Sequence, residues 1–283
     1  MSVVTRFAPS PTGRLHLGHA YAAIYAWQAA HEAGGRFLLR IEDIDATRCR
    51  PEFVAAIFED LAWLGLDWET PVRHQSEHMA QYRAALDRLR ARDLLYPCFC
   101  TRADIRAEIA RASSAPHAPA SPGSEGPVYP GTCRRRTESD RRARITRGDP
   151  FALRLDVAAA LGVTGPLVWR DRKRGTITAE PQIFGDVVLA RKETPASYHL
   201  AVTLDDHIQG VTLVTRGEDL FAATHIHRLL QALLGLDTPE YDHHRLIAGT
   251  DGARLAKRAG APTLESLRAA GRTPAEIRTL LEP

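Results

Sequence analysis

The chain has 283 residues, of which 44% are hydrophobic and 25% charged, with a formal net charge of +3. Length and mix are those of a globular protein with one large domain or two modest ones, and they exclude disordered and fibrous classes. No apolar run approaches the roughly 20 residues a membrane helix needs, and Arg6 and two prolines interrupt the start where a signal peptide would be apolar. A cytoplasmic monomer with no membrane partner is expected.

Val3 to Phe7 alternate as a strand should, Pro9 and Pro11 forbid its continuation, and from about Ala20 an apolar series (Ile24, Trp27, Ala30) recurs at helical spacing. A loop feeding a helix N-terminus offers unpaired N–H groups and a positive dipole end, a ready site for phosphate. Two imidazoles, His16 and His19, stand in that loop. Between them Gly18, with no Cβ, would let a base or ribose approach the backbone. By itself the spacing reads more readily as a solvated turn or half of a metal site.

Gly34-Gly35 stops the helix, and Phe37-Leu38-Leu39 reads as a buried strand ending in Arg40-Ile41-Glu42-Asp43-Ile44-Asp45. Carboxylates at the C-terminal end of a strand sit where open α/β sheets bind ligands. Asp43 and Asp45 are expected to cap the next helix, whereas Glu42, following apolar Ile41, is expected to face the site and hold a ligand ammonium. Pro51 opens a helix with Phe53, Ile57, Leu61 and Leu64 on one face, and a second helix carries Met79, Tyr82, Leu86 and Leu89. Both read as cover for a sheet.

Beyond Leu94 the pattern changes, and Thr101-x-x-Asp104 caps a short polar helix. Four cysteines in a cytosolic chain argue against disulfides. Cys98-Phe99-Cys100 with Cys133 suggests a metal site instead, and tetrahedral zinc would need a fourth donor that Tyr129 or His117 could supply. Cys49 reads as a partly buried thiol. Ala112 to Gly131, rich in Ala, Ser, Pro and Gly, is expected to be a mobile loop whose ends the metal ties. Arginines bunch at 134–136, 141, 142, 144 and 147, and again with Lys173 at 170, 172 and 174. Such blocks suit an RNA backbone, unless Glu138, Asp140 and Asp149 make them a solvated, self-paired face.

Short β-type runs at Phe151 to Leu155, Leu167 to Trp169 and Thr176 to Thr178 suggest a small insert, an excursion from the sheet, to which Val187-Val188-Leu189-Ala190 returns. Tyr198 to Asp206 and Val211 to Asp219 then complete a second βαβ half, so the sheet is parallel and doubly wound. Leu220 to Leu234 is an apolar helix ended by Gly235. His243, His244 and Arg254-Leu255-Ala256-Lys257-Arg258 come next, in a Gly-rich loop from which Lys257 can swing onto a polyphosphate. Thr273-Pro274-Ala275-Glu276 opens the last helix with a capping box and proline at its first position.

In this order the pieces resemble the class I aminoacyl-tRNA synthetases. His16-Leu17-Gly18-His19 is similar to their HIGH signature and Leu255-Ala256-Lys257-Arg258 to their KMSKS loop. Arg6 to Gly13, Arg40 to Asp43, Tyr198 to Val202 with Asp205-Asp206, and Arg216 to Leu220 narrow the resemblance to the glutamyl branch. Too few residues come after Arg258 for that branch's anticodon-binding domain, so the expected relatives are the truncated glutamyl-queuosine tRNA(Asp) synthetases.

This resemblance implies a Rossmann-type α/β catalytic domain in two halves, 1–95 and 186–240. It also implies an insert, 96–185, with a zinc site and acceptor-side RNA contacts, and at 241–283 the KMSKS-like loop with a short helical stem. The implied activity is activation of L-glutamate by ATP with Mg2+, without tRNA, and transfer of glutamate to the queuosine cyclopentenediol in the anticodon of tRNA(Asp). One zinc would sit on Cys98, Cys100, Tyr129 and Cys133. His16, Gly18, His19 and Lys257 would surround ATP, with His16, His19 and Lys257 catalytic. Arg6, Phe7, Ala8, Pro9, Ser10, Glu42, Tyr198 and Arg216 would line the amino-acid site. Arginine matches a carboxylate bidentately, so Arg6 and Arg216 are the candidates for the two carboxylates of glutamate, unless Arg216 pairs with Glu218 or Asp219. Arg254 and Ala256 depart from the lysine and serine common in the family loop. The alternative is a truncated glutamyl-tRNA synthetase charging the 3′ end of tRNA(Glu).

Overall fold

Two prolines end the first strand as expected, and the chain opens with a βαβ unit built from β1 (Val4–Phe7), α1 (Leu17–Glu32) and β2 (Arg36–Ile41). The computed structural model describes residues 2–113, 122–123, 126–192, 194–247 and 262–281. β1 and β2 run parallel, pairing Val4 with Arg36 through Phe7 with Leu39. Gly34 turns the chain after α1 at φ +57°, a conformation glycine adopts without Cβ strain. α2 (Pro51–Trp63) buries Ala56, Ile57 and Leu61, and α3 (Met79–Arg90) buries Tyr82, Ala85, Leu86 and Leu89. Between them β3 (Glu69–His74) extends the sheet parallel to β2, a strand hidden in the sequence because Thr70 and Pro71 are exposed and no apolar alternation marks it. Asp43 and Asp45 do not cap α2, whose N-cap is Arg50 with no side-chain bond. Instead Asp43 accepts from the Ser76 N–H at 2.8 Å and its hydroxyl at 2.7 Å, and Asp45 accepts from Thr47.

The next segment holds β4 (Leu95–Cys98), α4 (Arg102–Ser113), the short pair β5 (Pro122–Gly123) and β6 (Gly126–Pro127), α5 (Glu138–Thr146), β7 (Ala152–Leu155) and α6 (Val157–Thr164). The expected box forms at α4, with Thr101 donating to Asp104 and the Asp104 N–H donating back to the Thr101 hydroxyl. Much of the expected mobile loop between Ala112 and Gly131 lies outside the described residues. β8 (Val168–Asp171) and β9 (Gly175–Thr178) form an antiparallel hairpin, and β10 (Val188–Ala190) comes after it.

Two expectations are corrected here. β10 does not return to the parallel sheet but pairs antiparallel with β7, next to β4, in a separate three-stranded sheet. The run β8, expected to be an excursion, joins the parallel sheet through the pairing of Asp171 with Tyr241. Apolar content alone could not separate the two, since each run carries buried residues, Leu189 and Ala190 in β10 and Trp169 and Asp171 in β8.

α7 (Tyr198–Ile208), β11 (Leu213–Gly217), α8 (Ala223–Leu234) and β12 (Glu240–His244) complete the second half, with β11 and β12 parallel. Glu-Tyr-Asp-His-His has no apolar period, so the sequence points to loop where β12 forms. It is nonetheless buried, because Tyr25 donates to Asp242 and Asp171 meets His243. The halves join where the Thr212 N–H donates to the Val4 carbonyl at 3.0 Å, so β11 lies beside β1 and the strand order reverses there. α9 (Leu264–Ala269) and α10 (Pro274–Leu281) bury Leu264, Ile277 and Leu281 in the core around α1 and α2, with the Thr273–Glu276 box in place. Among the described residues no helix is long and apolar enough to cross a membrane.

An ionic knot is buried under this junction. Asp206 accepts from Arg6 Nε at 2.9 Å and from the fully buried Arg40 at 2.8 Å. Beside it Asp205 accepts from Arg73 at 2.9 Å, Gln75 at 2.8 Å and the Tyr82 hydroxyl at 2.8 Å. Removing one member of such a set leaves buried charge unanswered, a loss of about 3–5 kcal/mol. Asp205→Ala is therefore expected to lower unfolding stability in urea by about that amount, and a loss within about 0.5 kcal/mol, the usual range for a surface change, would contradict the role given to the knot.

Candidate active site

The reversal point between β1 and β11 is where open α/β sheets bind ligands, and a cavity of about 550 Å³ lies there. Its first wall is the start of α1. His16 is the N-cap, its Nδ1 accepting from the Gly18 N–H at 3.1 Å, and His19 Nδ1 accepts from the His16 N–H at 3.2 Å. This is a capping box made of two imidazoles, with ring centroids 3.8 Å apart. Because each Nδ1 accepts a backbone N–H, each neutral ring carries its proton on Nε2.

Residues on both sides of the Gly-rich stretch reach this wall. After β12, residues 245–247 line the same cavity as His16, Gly18 and His19. After the loop, Thr263 bridges to His16 and the Leu264 N–H donates to the Leu15 carbonyl at 2.9 Å. Residues 248–261, with Lys257, Arg254 and Ala256, lie outside the described residues.

Of the remaining expected residues, Arg6, Phe7, Ala8, Ser10, Glu42, Tyr198 and Arg216 line the cavity. Pro9 does not, but its carbonyl accepts the Glu42 N–H at 3.0 Å and so ties the β1 loop to the end of β2. Thr215, Gly217, Asp219 and His244 line it as well, without having been expected there.

Charge is distributed unequally over this wall. Arg6 forks onto Asp206, with Nε at 2.9 Å and Nη2 at 3.3 Å, and also reaches the Thr215 carbonyl. Against burial, Arg6 and Arg40 hold Asp206 below the usual carboxylate range. Glu42 is treated differently. Burial pushes its carboxyl up to about 7, Arg40 at 3.7 Å only partly opposing this, and its Oε1 is buried with no hydrogen-bond partner.

Arg216 has no carboxylate within ion-pair distance among the described residues, and the pairing with Glu218 or Asp219 does not form. Its guanidinium donates from Nε to His243 Nε2 at 3.2 Å, from Nη1 to His227 Nδ1 at 3.1 Å, and from Nη2 to the Thr224 hydroxyl. Burial and the adjacent guanidinium push His243 down to about 4 and His227 well below the usual imidazole range. One signal of His227 exists in the sequence, a Thr-His-Ile-His run inside the otherwise apolar α8, while His243 reads there as part of a loop. A wall where, among the described residues, one carboxyl lacks a hydrogen bond and one guanidinium faces no acid is complementary to a small zwitterionic acid.

A second cluster lies at the end of β4. The sulfurs of Cys98, Cys100 and Cys133 fall within 4.8 Å of one another, with Cys100 and Cys133 3.5 Å apart. The Tyr129 hydroxyl is 3.4 Å from Cys98 Sγ and 3.7 Å from Cys100 Sγ. Four donors around one zinc at about 2.3 Å stand roughly 3.8 Å apart, so the set fits a tetrahedral metal with little movement. Against burial, the Phe99 N–H aimed at the sulfur helps hold Cys133 below the usual thiol range. His117, the other candidate, lies outside the described residues. Nearby arginines are largely answered within the chain, Arg136 by Asp140 at 2.7 Å, Arg144 by Asp149 at 2.7 Å and Arg134 by Asp186 at 3.2 Å.

Known proteins are similar to this chain in sequence and fold. Residues 2–281 match the family model described as tRNA synthetases class I (E and Q), catalytic domain. The chain is 51% identical to a glutamyl-Q tRNA(Asp) synthetase of Rhodobacter capsulatus over 99% of each chain, and 45% identical to one of Symbiobacterium thermophilum over 96% of this chain and 83% of the relative. A crystal structure of a glutamate tRNA ligase from Elizabethkingia meningosepticum in complex with its amino acid matches with a TM-score of 0.79 and 27% identity, covering 99% of this chain and 60% of that one.

The cysteine cluster generates a direct prediction. Cobalt(II) added to the reduced protein should give a near-ultraviolet thiolate-to-metal charge-transfer band, which Cys133→Ser diminishes. Equal spectra for the two proteins would exclude metal binding by this cluster.

Proposed function

The chain belongs to the class I tRNA synthetase family, in the glutamate and glutamine branch, and we propose that it activates L-glutamate with ATP, without tRNA, and esterifies it to the cyclopentenediol of queuosine in the anticodon of tRNA(Asp). The observation that carries the activation step is the presence, in one cavity, of Glu42, whose Oε1 is buried, and Arg216, whose guanidinium faces no acid among the described residues. The near full-length likeness to relatives named for tRNA(Asp) and its Q nucleoside supports the target.

In this reading Glu42 takes the ammonium of glutamate and Arg216 its side-chain carboxylate, with Tyr198 at the rim. The α-carboxylate then attacks the α-phosphate of ATP, one O–P bond forms, and pyrophosphate departs with its electron pair. Charge builds on the phosphoryl oxygens, so fixed donors lower the barrier, each worth on the order of 10²-fold or more in rate. The Nε2–H groups of His16 and His19 are those donors, next to the α1 N-terminus. Lys257, in the stretch between residues 245–247, which line this cavity, and Thr263, which bridges to His16, would meet the β and γ phosphates, whose charge Mg2+ would share. The ester forms when a queuosine hydroxyl attacks the activated carbonyl and AMP leaves. Cys98, Cys100, Tyr129 and Cys133 would hold a structural zinc in the insert expected at 96–185, although β8 of that stretch belongs to the parallel sheet, β10 of 186–240 pairs with β7, and β12 carries the second catalytic half past 240.

A second reading, charging the 3′ end of tRNA(Glu), rests on the match to the glutamate tRNA ligase structure. Glutamylation of tRNA(Asp) with and without queuosine separates the two. We expect labelled glutamate only on the queuosine-bearing form and only on its anticodon half after nuclease cleavage. Label at the 3′ end of tRNA(Glu) would overturn the proposal.

The charges on the cavity wall predict two further outcomes. An ammonium needs Glu42 ionised, and with its carboxyl at about 7 the fraction ionised falls as pH drops below that value. The KM for glutamate in ATP–pyrophosphate exchange should therefore rise up to roughly tenfold per pH unit below it, and a flat KM would take the ammonium away from Glu42. Arg216→Lys should raise the same KM by on the order of tenfold, because lysine offers a point charge where arginine offers a fork; an unchanged KM would move the carboxylate elsewhere.

A further inference from the structure

Arginine donates and never accepts, which fixes every proton in the chain of side chains behind Arg216. Since Arg216 Nε donates to His243 Nε2 at 3.2 Å, His243 carries its proton on Nδ1 and donates it to Asp171 Oδ2 at 2.7 Å. Since Arg216 Nη1 donates to His227 Nδ1 at 3.1 Å, His227 carries its proton on Nε2 and donates it to His199 Nδ1 at 3.1 Å. His243, His227 and Thr224 are all buried, and each meets the guanidinium with an uncharged acceptor. They use three of its five N–H bonds, which leaves two, enough for both oxygens of one carboxylate.

Arg6, on the same cavity, is built the opposite way, with its charge answered by Asp206. The difference suits the two ends of glutamate. The α-carboxylate must attack phosphorus, and a full positive charge clamped on it would blunt its nucleophilicity. The side-chain carboxylate only has to be recognised, and there an unspent charge distinguishes it from the uncharged amide of glutamine.

We infer that His227 and His243 are positioning residues that set specificity: as neutral acceptors they hold the Arg216 guanidinium on the cavity wall without cancelling its charge, so that the site selects an anionic side chain over its amide. The inference rests on the glutamate-activation reading. A buried guanidinium needs its N–H groups answered, and carboxylates are the strong way to do so. Two imidazoles, oriented by Asp171 and His199, keep the geometry and leave the charge to the ligand.

The test compares acidic with amide replacements that put an acceptor in the same place. Asn offers its oxygen where His227 has Nδ1, and Gln offers its oxygen where His243 has Nε2. His227→Asp and His243→Glu should raise the KM for glutamate by on the order of 30-fold or more, with kcat moving much less. They should also narrow the preference for glutamate over glutamine, measured by calorimetric competition. His227→Asn and His243→Gln should recover most of that loss.

Wild-type glutamate affinity in the acidic variants overturns the inference. Equal losses in acidic and amide variants also overturn it, because a merely structural role would not distinguish them. Thermal melts control for folding, and the His243 pair decides if His227→Asp does not fold. Failure of the activation reading has a different signature: the wild type would show neither glutamate-driven exchange nor glutamate binding.

Discussion

Placing several guanidinium groups in one buried junction is the constraint on which this structure turns. Arg6, Arg40 and Arg73 converge beneath the seam between β1 and β11, and each is answered by Asp205 or Asp206 from a single turn of α7. Unpaired, such charges would not remain buried. The two aspartates therefore tie β1, β2 and β3 of the first half to α7 of the second. Arg216 stands one strand away under a different rule, with neutral partners. Glu42 is its counterpart, a carboxyl kept close to the point of ionisation by burial.

Those features share a cavity because of backbone ties more than side-chain packing. The Pro9 carbonyl fixes Glu42, Thr212 joins β11 to β1, and Leu264, after the Gly-rich stretch, is pinned to Leu15. His16 and His19 serve twice in this scheme. As caps they satisfy N–H groups that an α-helix start leaves open, and the same bonds set their tautomers, so the groups that begin α1 also present donors to the site.

Legibility in the sequence ran along physical lines. Helices with boxes or prolines at their starts, such as α2, α4 and α10, are readable because caps are local signals, joined in α2 by apolar spacing. Strands β3 and β12 are not, since their residues are polar and owe their burial to partners far along the chain: Arg73 to Asp205, Asp242 to Tyr25, His243 to Asp171. β10 and β8 exchange roles for a related reason, as neither run says which edge it will meet. In the cavity, motif residues are legible by spacing and resemblance. The acceptors behind Arg216 are not, because a histidine inside an apolar helix shows its purpose only when the donor it meets comes from another strand.

The central claim is that Arg216 and Glu42 receive the two ends of an amino acid whose reacting group faces the α1 imidazoles. A crystal structure with a non-hydrolysable glutamyl-adenylate analogue tests it most directly. The account predicts the side-chain carboxylate forked on Arg216, the ammonium on Glu42, and the phosphoryl group at the Nε2 atoms of His16 and His19. An analogue bound with Arg216 turned away from it, or with its phosphoryl group in another cavity, would contradict the account.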